Sequence, residues 1–400
     1  SGKTVVAAMA MYNNFLNGYQ SALMAPTEIL ARQHYNSIVK LFEGLGINTG
    51  LLTGSKIKKL KKETAQEISS GKLNVVVGTH ALFSEGVKYK KLGLVIVDEQ
   101  HRFGVEQRKL IKQKGLGTHF LSMTATPIPR SLALMIYGDL DISIINELPP
   151  GRKKIITKIV GQEKRNKAYG FIREQVKLGR QIFVICPLIE EAESDGIEIL
   201  NYPAGASAEK KSVLKEYEKL SKQIFPDLRA GFLHGKLKSD EKEKTMAKFK
   251  AGELDLLIAT SVVEVGIDIP NASVMLIEGA ENFGLAQLHQ FRGRVGRASH
   301  QSYCILFANT DSARAMERLE FFEKTNDGFK LAEKDLEMRG PGEVYGTEQS
   351  GMMNLRIAKL TDMELIKKAR EIAKEVAVDL EKYPILNKKM IGMGKSAHLE

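Results

Sequence analysis

The sequence predicts an α/β protein with two parallel-sheet domains and a helical C-terminal part. Short runs rich in Val, Ile and Leu alternate with longer amphipathic stretches along most of the 400 residues. Uninterrupted apolar strands that are separated by helices are typical of parallel sheets covered on both faces. The pattern occurs twice, on either side of a Pro-Pro-Gly break at 149–151, where no regular element can continue.

Nine strands are predicted, four before this break and five after it. They occupy residues 21–26, 74–79, 92–99 and 119–126, then 181–187, 229–235, 254–261, 272–279 and 301–308. The predicted domains are a first α/β domain at 1–147, a linker at 148–157, a second α/β domain at 158–310, a helical hairpin with a loop at 311–351 and C-terminal helices at 352–400. Two such domains joined by a short linker are expected to hold a nucleotide in the cleft between them.

The segments outside the sheets read as helices and turns. A polar, Lys- and Glu-rich insertion at roughly 190–225 is expected to form a surface helix with loops. The C-terminal part predicts a helix in RAMERLEFFEK, a turn at Asn326-Asp327-Gly328 and a second helix in LAEKDLEM. Gly-Pro-Gly at 340–342 is a strong helix stop. Residues 357–400 predict one or two further helices without an assigned role.

Composition and charge restrict the class of protein. With 43% hydrophobic and 27% charged residues, the chain is typical of a soluble globular protein. The net charge of +11 favours an anionic polymer as partner, although solvated Lys-rich faces produce the same excess. Cys186 and Cys304 lie in apolar runs and predict buried reduced thiols in a cytosolic protein. The histidines, including His34 and His289, lack metal-site spacing, which favours structural or polar-network roles.

Two motifs predict a site for ATP and Mg²⁺. Ser-Gly-Lys-Thr at 1–4 is the second half of a phosphate-binding loop of the form GxxxxGK[ST]. A buried strand at 92–97 leads directly into Asp98 and Glu99, where a carboxylate can hold Mg²⁺ and another can activate water. The alternative without a functional role is that Asp98 and Glu99 form an acidic turn at the surface. Because the first half of the loop is not in the sequence, we expect the 400 residues alone to bind nucleotide poorly.

A cluster of arginines in the second domain complements these carboxylates. Gln290-Phe291-Arg292-Gly293-Arg294-Val295-Gly296-Arg297 places three arginines within six residues. Arginine stabilises the charge on a transferring phosphoryl group, and such a residue would make hydrolysis depend on domain closure. An isolated arginine run is more often a solvated face or a nucleic-acid contact.

These segments together resemble superfamily 2 helicases. The resemblance lies in SGKT at 1–4, APTEILARQH at 25–34, VVGTHAL at 76–82, DEQH at 98–101, TAT at 124–126, LHG at 233–235, ATSVVEVGIDIP at 259–270 and QFRGRVGR at 290–297. Within the superfamily, DEQHRFGVEQR at 98–108, SMTATPIPRSLAL at 122–134, ELPPGRK at 147–153 and DGFKLAEKDLEMRGPGEVYGTEQSG at 327–351 resemble the RecG family of replication-fork reversal helicases. Mfd-type translocases are similar in many segments but are expected to diverge after residues 339–340.

The resemblance implies roles for individual residues in two RecA-like domains. Nucleotide would be bound by Gly2, Lys3, Thr4, Gly266 and Asp268, with Thr4 and Asp98 as ligands of Mg²⁺. Catalysis would use Asp98, Glu99, Gln290, Arg294 and Arg297. The DNA backbone would be contacted by Thr27, Arg32, Thr79 and Thr260, although an isolated threonine is more often a cap or a strand-end residue. Coupling between the ATP and DNA sites would involve Thr124, Thr126, Arg318, Arg339 and Gln349.

The implied function is an ATP-dependent DNA helicase that remodels stalled replication forks and Holliday junctions in repair and recombination. The implied partners are branched double-stranded DNA and single-strand binding protein, with a monomeric, nucleoid-associated enzyme in the bacterial cytoplasm. In such helicases an N-terminal wedge domain selects branches. No segment of this sequence resembles that domain, so we expect these residues to carry the motor without fork selection.

Three alternatives remain open at this point. An Mfd-type translocase would act on double-stranded DNA beside RNA polymerase in transcription-coupled repair. An RNA helicase is disfavoured because DEQH and the C-terminal segments match RNA-specific relatives poorly. A DNA-binding scaffold with an inactive ATP site is the non-enzymatic alternative, and the intact acidic pair and arginine cluster argue against it.

Overall fold

A computed structural model describes residues 2–54, 58–84, 86–99, 117–124, 141–145, 147, 151–187, 208–235, 237–260, 269–339 and 363–394. The chain forms two compact units, Ser1–Glu147 with Ala332–Glu400 and Leu148–Leu331. Each unit contains one parallel sheet with helices on both faces, and helices follow at the C-terminus. The predicted fold class is confirmed.

The first unit contains a sheet of five parallel strands in the order β2-β3-β1-β4-β5. The strands are β1 Gln20–Met24, β2 Thr49–Leu52, β3 Val75–Gly78, β4 Leu92–Asp98 and β5 His119–Met123. The helices are α1 Lys3–Leu16, α2 Glu28–Leu41 and α3 Lys58–Ser70. Met11 of α1 and Ile38 of α2 pack in one hydrophobic cluster, and Ile68 of α3 belongs to a second cluster. Both faces of the sheet are therefore covered, which explains its continuous apolar strands.

The second unit contains six parallel strands in the order β6-β11-β10-β7-β9-β8. They are β6 Ile156–Val160, β7 Gln181–Ile185, β8 Ala230–Leu233, β9 Leu256–Ala259, β10 Ala272–Ile277 and β11 Tyr303–Phe307. The helices are α4 Arg165–Lys177, α5 Ala208–Glu218, α6 Ser239–Lys250, α7 Leu285–Arg292 and α8 Ala313–Lys324. Helix α9, Gly328–Arg339, begins in this unit and continues into residues that group with the first unit. Two further helices follow, α10 Met363–Val378 and α11 Pro384–Gly394.

The two sheets have the same topology. Strand order β8-β9-β7-β10-β11 in the second unit corresponds to β2-β3-β1-β4-β5 in the first, and β6 extends the second sheet by one strand. All nine predicted strands are confirmed within one to three residues at their ends, whereas β2 and β6 were not predicted. Strand β2 is only four residues long and contains Gly50, and β6 is interrupted by Thr157 and Lys158. Short or polar-interrupted strands leave a weak hydrophobic pattern.

A buried glutamine begins the central strand of each sheet. Gln20 in β1 donates from Nε2 to Ile68 O at 2.9 Å and Leu73 O at 2.7 Å, and its Oε1 accepts from the amides of Lys90 and Lys91. Gln181 in β7 donates in the same way to the carbonyl oxygens of Phe249 and Leu254. Each glutamine side chain therefore forms hydrogen bonds with backbone groups at the end of a helix and just before a neighbouring strand, at the amino edge of its sheet.

The predicted helical hairpin is present as α8 and α9. Ser312 caps α8 by accepting a hydrogen bond from the amide of Ala315 at 3.3 Å. The Asp327 carboxylate accepts from the amide of Phe329 at 2.9 Å, so α9 begins at Gly328, three residues before the predicted start. Residues 326–328 are therefore a cap rather than a separate turn. The helix stop predicted at 340–342 lies outside the described residues.

The helix predicted in the insertion and the two predicted buried thiols are present in the structure. Within the described residues of the insertion, Val213 and Leu220 are fully buried, so the expected surface helix packs one face onto the sheet. Cys186 and Cys304 are free and buried as predicted, and burial raises the pKa of the Cys304 thiol to about 12. In the described part of the chain, no helix has the length and apolar character that a membrane crossing requires.

Candidate nucleotide and nucleic-acid site

The predicted acidic pair lies at the carboxyl edge of the first sheet. Asp98 is the last residue of β4 and is 8% exposed. Glu99 has φ of 52°, and it is the one non-glycine residue with positive φ among the residues that the structure describes. Its amide donates to Met123 O at 2.8 Å, and Thr124 Oγ1 donates to Glu99 Oε2 at 3.0 Å. A left-handed conformation that is held by such contacts is typical of functional sites.

A histidine from α2 reaches the same carboxyl edge. His34 Nε2 lies 2.7 Å from Asp98 Oδ2, and both side chains are nearly buried. An imidazole N–H donates and a carboxylate oxygen accepts, so this contact has the geometry of a hydrogen bond from His34 to Asp98. The predicted polar-network role fits His34, but the sequence did not connect it with Asp98, which lies 64 residues away.

The residues that are predicted to bind phosphate form the start of α1. Gly2 is the N-cap, no side chain caps this helix, and its first turn contains no acidic residue. The side chains of Lys3 and Thr4 are half-buried in that turn. Amide groups at an uncapped helix start are suited to an anion, and a lysine and a hydroxyl beside them suit phosphate and Mg²⁺. Among the described residues, no group of three or more His, Cys, Asp or Glu could hold a metal.

Threonines line the carboxyl ends of neighbouring strands. Thr53 follows β2 and Thr79 follows β3, both are buried, and neither Oγ1 has a hydrogen-bond partner among the residues that the structure describes. The amide of Thr79 donates to Leu52 O at 3.2 Å, so these two strand ends adjoin. Thr27 caps α2, and Arg32 of the same helix is exposed. Thr53 was not predicted as a site residue because β2, the strand that it follows, was not predicted.

The arginine cluster divides into one buried and two partly exposed residues. Arg292 is 2% exposed and donates to Phe322 O at 3.1 Å and Thr157 Oγ1 at 3.4 Å. Its guanidinium carbon lies 4.1 Å from the centre of the Phe322 ring. Arg294 and Arg297 follow the end of α7 and are partly exposed, as is Gln290 within α7. Arg292 is therefore a structural residue that joins α7 to β6 and α8, a distinction that the sequence pattern did not reveal.

We expect His289 to make the second unit sensitive to acid. Burial, with a contribution from the charge of Arg292, lowers the pKa of His289 from 6.5 to about 4. Between these values the unfolded chain binds a proton that the native side chain does not, so the free energy of unfolding falls as the pH drops below 6.5. At pH 5 this loss amounts to about 2 kcal/mol. Urea unfolding at pH 7 and pH 5, followed by circular dichroism, measures it.

Arg292 Nη2 lies 3.2 Å from His289 Nδ1. His289→Gln provides the control for this acid effect because glutamine can accept a hydrogen bond from Arg292 but cannot titrate. The variant should lose about 2 kcal/mol less than the unsubstituted protein between pH 7 and pH 5. Equal losses in the two proteins would show that other groups cause the acid sensitivity.

A second buried ion pair lies at the carboxyl edge of the second sheet. Glu278 follows β10 and is 7% exposed, and Arg165 begins α4. Their side chains meet through two contacts, Nη2 to Oε2 at 3.2 Å and Nη1 to Oε1 at 3.4 Å. Desolvation and the charge of Glu216 raise the pKa of Glu278, while Arg165 opposes this shift. The sequence did not predict this pair.

The remaining predicted residues are partly described. Thr260 is buried directly after β9, and Arg318 of α8 donates to the carbonyl oxygen of Glu281. Arg339 ends α9, and its side chain is not described. The predictions for Gly266, Asp268, Thr126 and Gln349 lie outside the described residues. The structure thus brings together Asp98, Glu99, Thr124 and His34, and the roles of all predicted site residues remain predictions.

Family descriptions match three consecutive parts of the chain. Residues 1–135 match DEAD/DEAH box helicase, and residues 163–299 match the helicase conserved C-terminal domain. Residues 325–393 match the C-terminal part of domain 3 of ATP-dependent DNA helicase RecG. The helicase motifs that the sequence suggested therefore coincide with two independent helicase descriptions and one that is specific to RecG.

Relatives and solved structures agree with these matches. The ATP-dependent DNA helicase RecG of Synechocystis sp. is 48% identical over 98% of this chain and 46% of its own length. The proteins of the same name from Thermotoga maritima and Bacillus subtilis are 47% identical over 95% of this chain and 47% and 53% of their own lengths. A structure of RecG bound to a three-way DNA junction matches 86% of this chain and 43% of that protein, with a TM-score of 0.71 and 46% identity.

A more distant neighbour shares the fold. Dbp5 of S. cerevisiae, bound to RNA and ADP BeF3, has a TM-score of 0.58 at 18% identity and covers 85% of this chain and 86% of its own. Fold and site together define a helicase core with a DEAD/DEAH-box first part. The chain belongs to the RecG family. It spans about half the length of the curated relatives that it matches, and nothing in the comparisons favours the Mfd-type alternative.

Proposed function

We propose that the protein containing this chain is an ATP-dependent DNA helicase that acts on branched DNA, at stalled replication forks and Holliday junctions, in repair and recombination. The observation that carries the proposal is the acidic site at the end of β4. Glu99 is held in a left-handed conformation beside Asp98 and is hydrogen-bonded to Thr124, in a chain of the RecG family. A relative that is 46% identical was solved on a three-way DNA junction, which supports branched DNA as the substrate.

In this proposal the first unit binds ATP and Mg²⁺. The amide groups at the start of α1 and the Lys3 ammonium would hold the phosphates, and Thr4 and Asp98 would hold Mg²⁺, which neutralises charge on the phosphates. Glu99 would orient the attacking water and accept its proton. Gly266 and Asp268 are proposed to border the nucleotide, and Gln290, Arg294 and Arg297 to stabilise the γ-phosphate.

The DNA contacts proposed for this chain are threonine hydroxyls and one exposed arginine. Thr27, Arg32, Thr79 and Thr260 are retained as candidates, and Thr53 is added because the end of its strand adjoins that of Thr79. Contacts of this kind position a protein on the sugar-phosphate backbone without reading sequence. Binding that depends on the structure of DNA rather than its sequence follows from this set.

Coupling, assembly and location are further parts of the proposal. Thr124, Thr126, Arg318, Arg339 and Gln349 are proposed to link nucleotide hydrolysis to movement on duplex DNA. We infer from the family resemblance that the enzyme is monomeric, that it meets single-strand binding protein at forks and that it works at the nucleoid in the bacterial cytoplasm. The domain boundaries given above, at 147, 157, 310 and 351, also remain predictions.

The test of the proposed function is ATP turnover by the full-length protein on single-stranded, linear duplex and forked DNA. Forked DNA should stimulate turnover most strongly, and the stimulation should vanish in Lys3→Ala, which removes the cation from the phosphate site. An equal response to plain duplex, or a response only with RNA polymerase, would instead support an Mfd-type translocase. Stimulation by RNA that exceeds stimulation by DNA would indicate an RNA helicase.

A further inference from the structure

We propose that His34 is a positioning residue that couples DNA contact at the start of α2 to the carboxylate of Asp98. The inference rests on the proposed function, in which α2 contacts DNA and Asp98 serves the nucleotide. It adds a physical connection between the two sites within the first unit, carried by one helix and one hydrogen bond.

The position of His34 on α2 is the first step. Leu30, Ala31 and Ile38 are the buried residues of this helix, and His34 lies on the same stripe between them. Thr27 caps the helix seven residues earlier, close to two full turns, so it belongs to this side of the helix as well. The cap and His34 are therefore separated by about 10 Å along the helix axis.

The contact of His34 with Asp98 is the second step. The distance of 2.7 Å from Nε2 to Oδ2 is typical of a hydrogen bond to an ionised carboxylate, and the side chains are only 12% and 11% exposed. Exclusion of water strengthens such a bond and limits the orientations of the carboxylate. His34 therefore sets the direction in which Asp98 presents its oxygens at the end of β4.

The third step concerns the hydrogen bonds that are available at the start of α2. Thr27 Oγ1 accepts a hydrogen bond from the amide of Leu30 at 3.4 Å, and accepting leaves the hydroxyl hydrogen to be donated to a phosphate. The positive end of the helix dipole favours the same phosphate, and the Glu28 carboxylate in the first turn of α2 offsets part of this attraction. Since α2 is a continuous helix of 14 residues, a shift of its first turn on DNA displaces His34 and re-aims Asp98.

The experiment compares His34→Asn with His34→Gln in the full-length protein. The Nε2 atom of glutamine reaches the position of the histidine Nε2, whereas the asparagine amide is too short. The affinity for magnesium AMP-PNP is measured by calorimetry with and without forked DNA, so the readout is binding rather than turnover. The unsubstituted protein should gain affinity by a factor of about 5 to 150 on DNA. His34→Gln should retain this gain, and His34→Asn should reduce it to less than about twofold.

One control variant and the pattern of results separate the possible outcomes. Asn36→Ala, an exposed change on the same helix, should behave as the unsubstituted protein. An undiminished gain in His34→Asn, or its loss in His34→Asn and His34→Gln alike, would overturn the role of the His34 hydrogen bond while leaving the proposed function intact. If forked DNA neither binds nor stimulates the unsubstituted protein, the proposed function itself fails.

Discussion

Replacing Glu99 by glutamine is expected to lower ATP turnover of the full-length protein by about 10²- to 10⁴-fold, the usual contribution of a general base. The glutamine side chain has the same size and can still accept a hydrogen bond from Thr124 Oγ1, which lies 3.0 Å from Glu99 Oε2. It cannot take up a proton from water. Binding of nucleotide and of DNA should therefore persist while hydrolysis stops. Steady-state phosphate release on forked DNA measures the effect.

The matched control for this carboxylate is Glu43→Gln, an exposed change outside the site. It should leave turnover unchanged. Full activity of Glu99→Gln would show that a residue other than Glu99 serves as the base. A loss of activity together with a lowered melting temperature would show that the variant had disturbed the left-handed turn rather than the chemistry.

Replacing Arg294 or Arg297 by alanine is expected to lower turnover by about 10³-fold or more, because an arginine on the γ-phosphate contributes that much to phosphoryl transfer. Both residues lie beyond the end of α7 and keep part of their side chains exposed. The melting temperature should change little. Single-turnover hydrolysis with saturating ATP separates the loss of the chemical step from a loss of nucleotide affinity.

Arg292→Ala is the contrasting variant within the same cluster. It removes hydrogen bonds to Phe322 O and Thr157 Oγ1 in the core of the second unit. We expect the free energy of unfolding to fall by about 2–4 kcal/mol, with activity lost only as far as the protein unfolds. Equal stability losses in Arg292→Ala and Arg294→Ala would contradict this division of the cluster.

Most of the fold could be predicted because buried parallel strands leave continuous apolar runs. Seven of the nine predicted strands are buried along nearly their whole length, and the partly exposed ones are β5 and β8. The strand that ends at Asp98 also located the acidic pair. Strand β2 was not predicted because its four residues, which include Gly50, give only a weak hydrophobic pattern. Because β2 was not predicted, Thr53 was overlooked. Its position at the carboxyl edge becomes apparent only when β2 and β3 lie side by side.

The rest of the site depends on contacts between distant residues. His34 and Asp98 are 64 residues apart, and Arg292 and Phe322 are 30 apart. Nothing in either local sequence indicates which side chains meet. The left-handed backbone of Glu99 is similarly a product of its hydrogen bonds to Met123 and Thr124, since glutamate has no preference for that conformation.

The ion pair of Arg165 and Glu278 bears on how many nucleotides one chain can bind. Arg165 begins α4 as Lys3 begins α1. Glu278 follows Ile277, which pairs with the last residue of β7, as Asp98 follows Val97, which pairs with the last residue of β1. In the second sheet these equivalent positions neutralise each other through two contacts, so the Arg165 guanidinium is already engaged and does not serve a phosphate. We therefore expect one chain to take up one nucleotide.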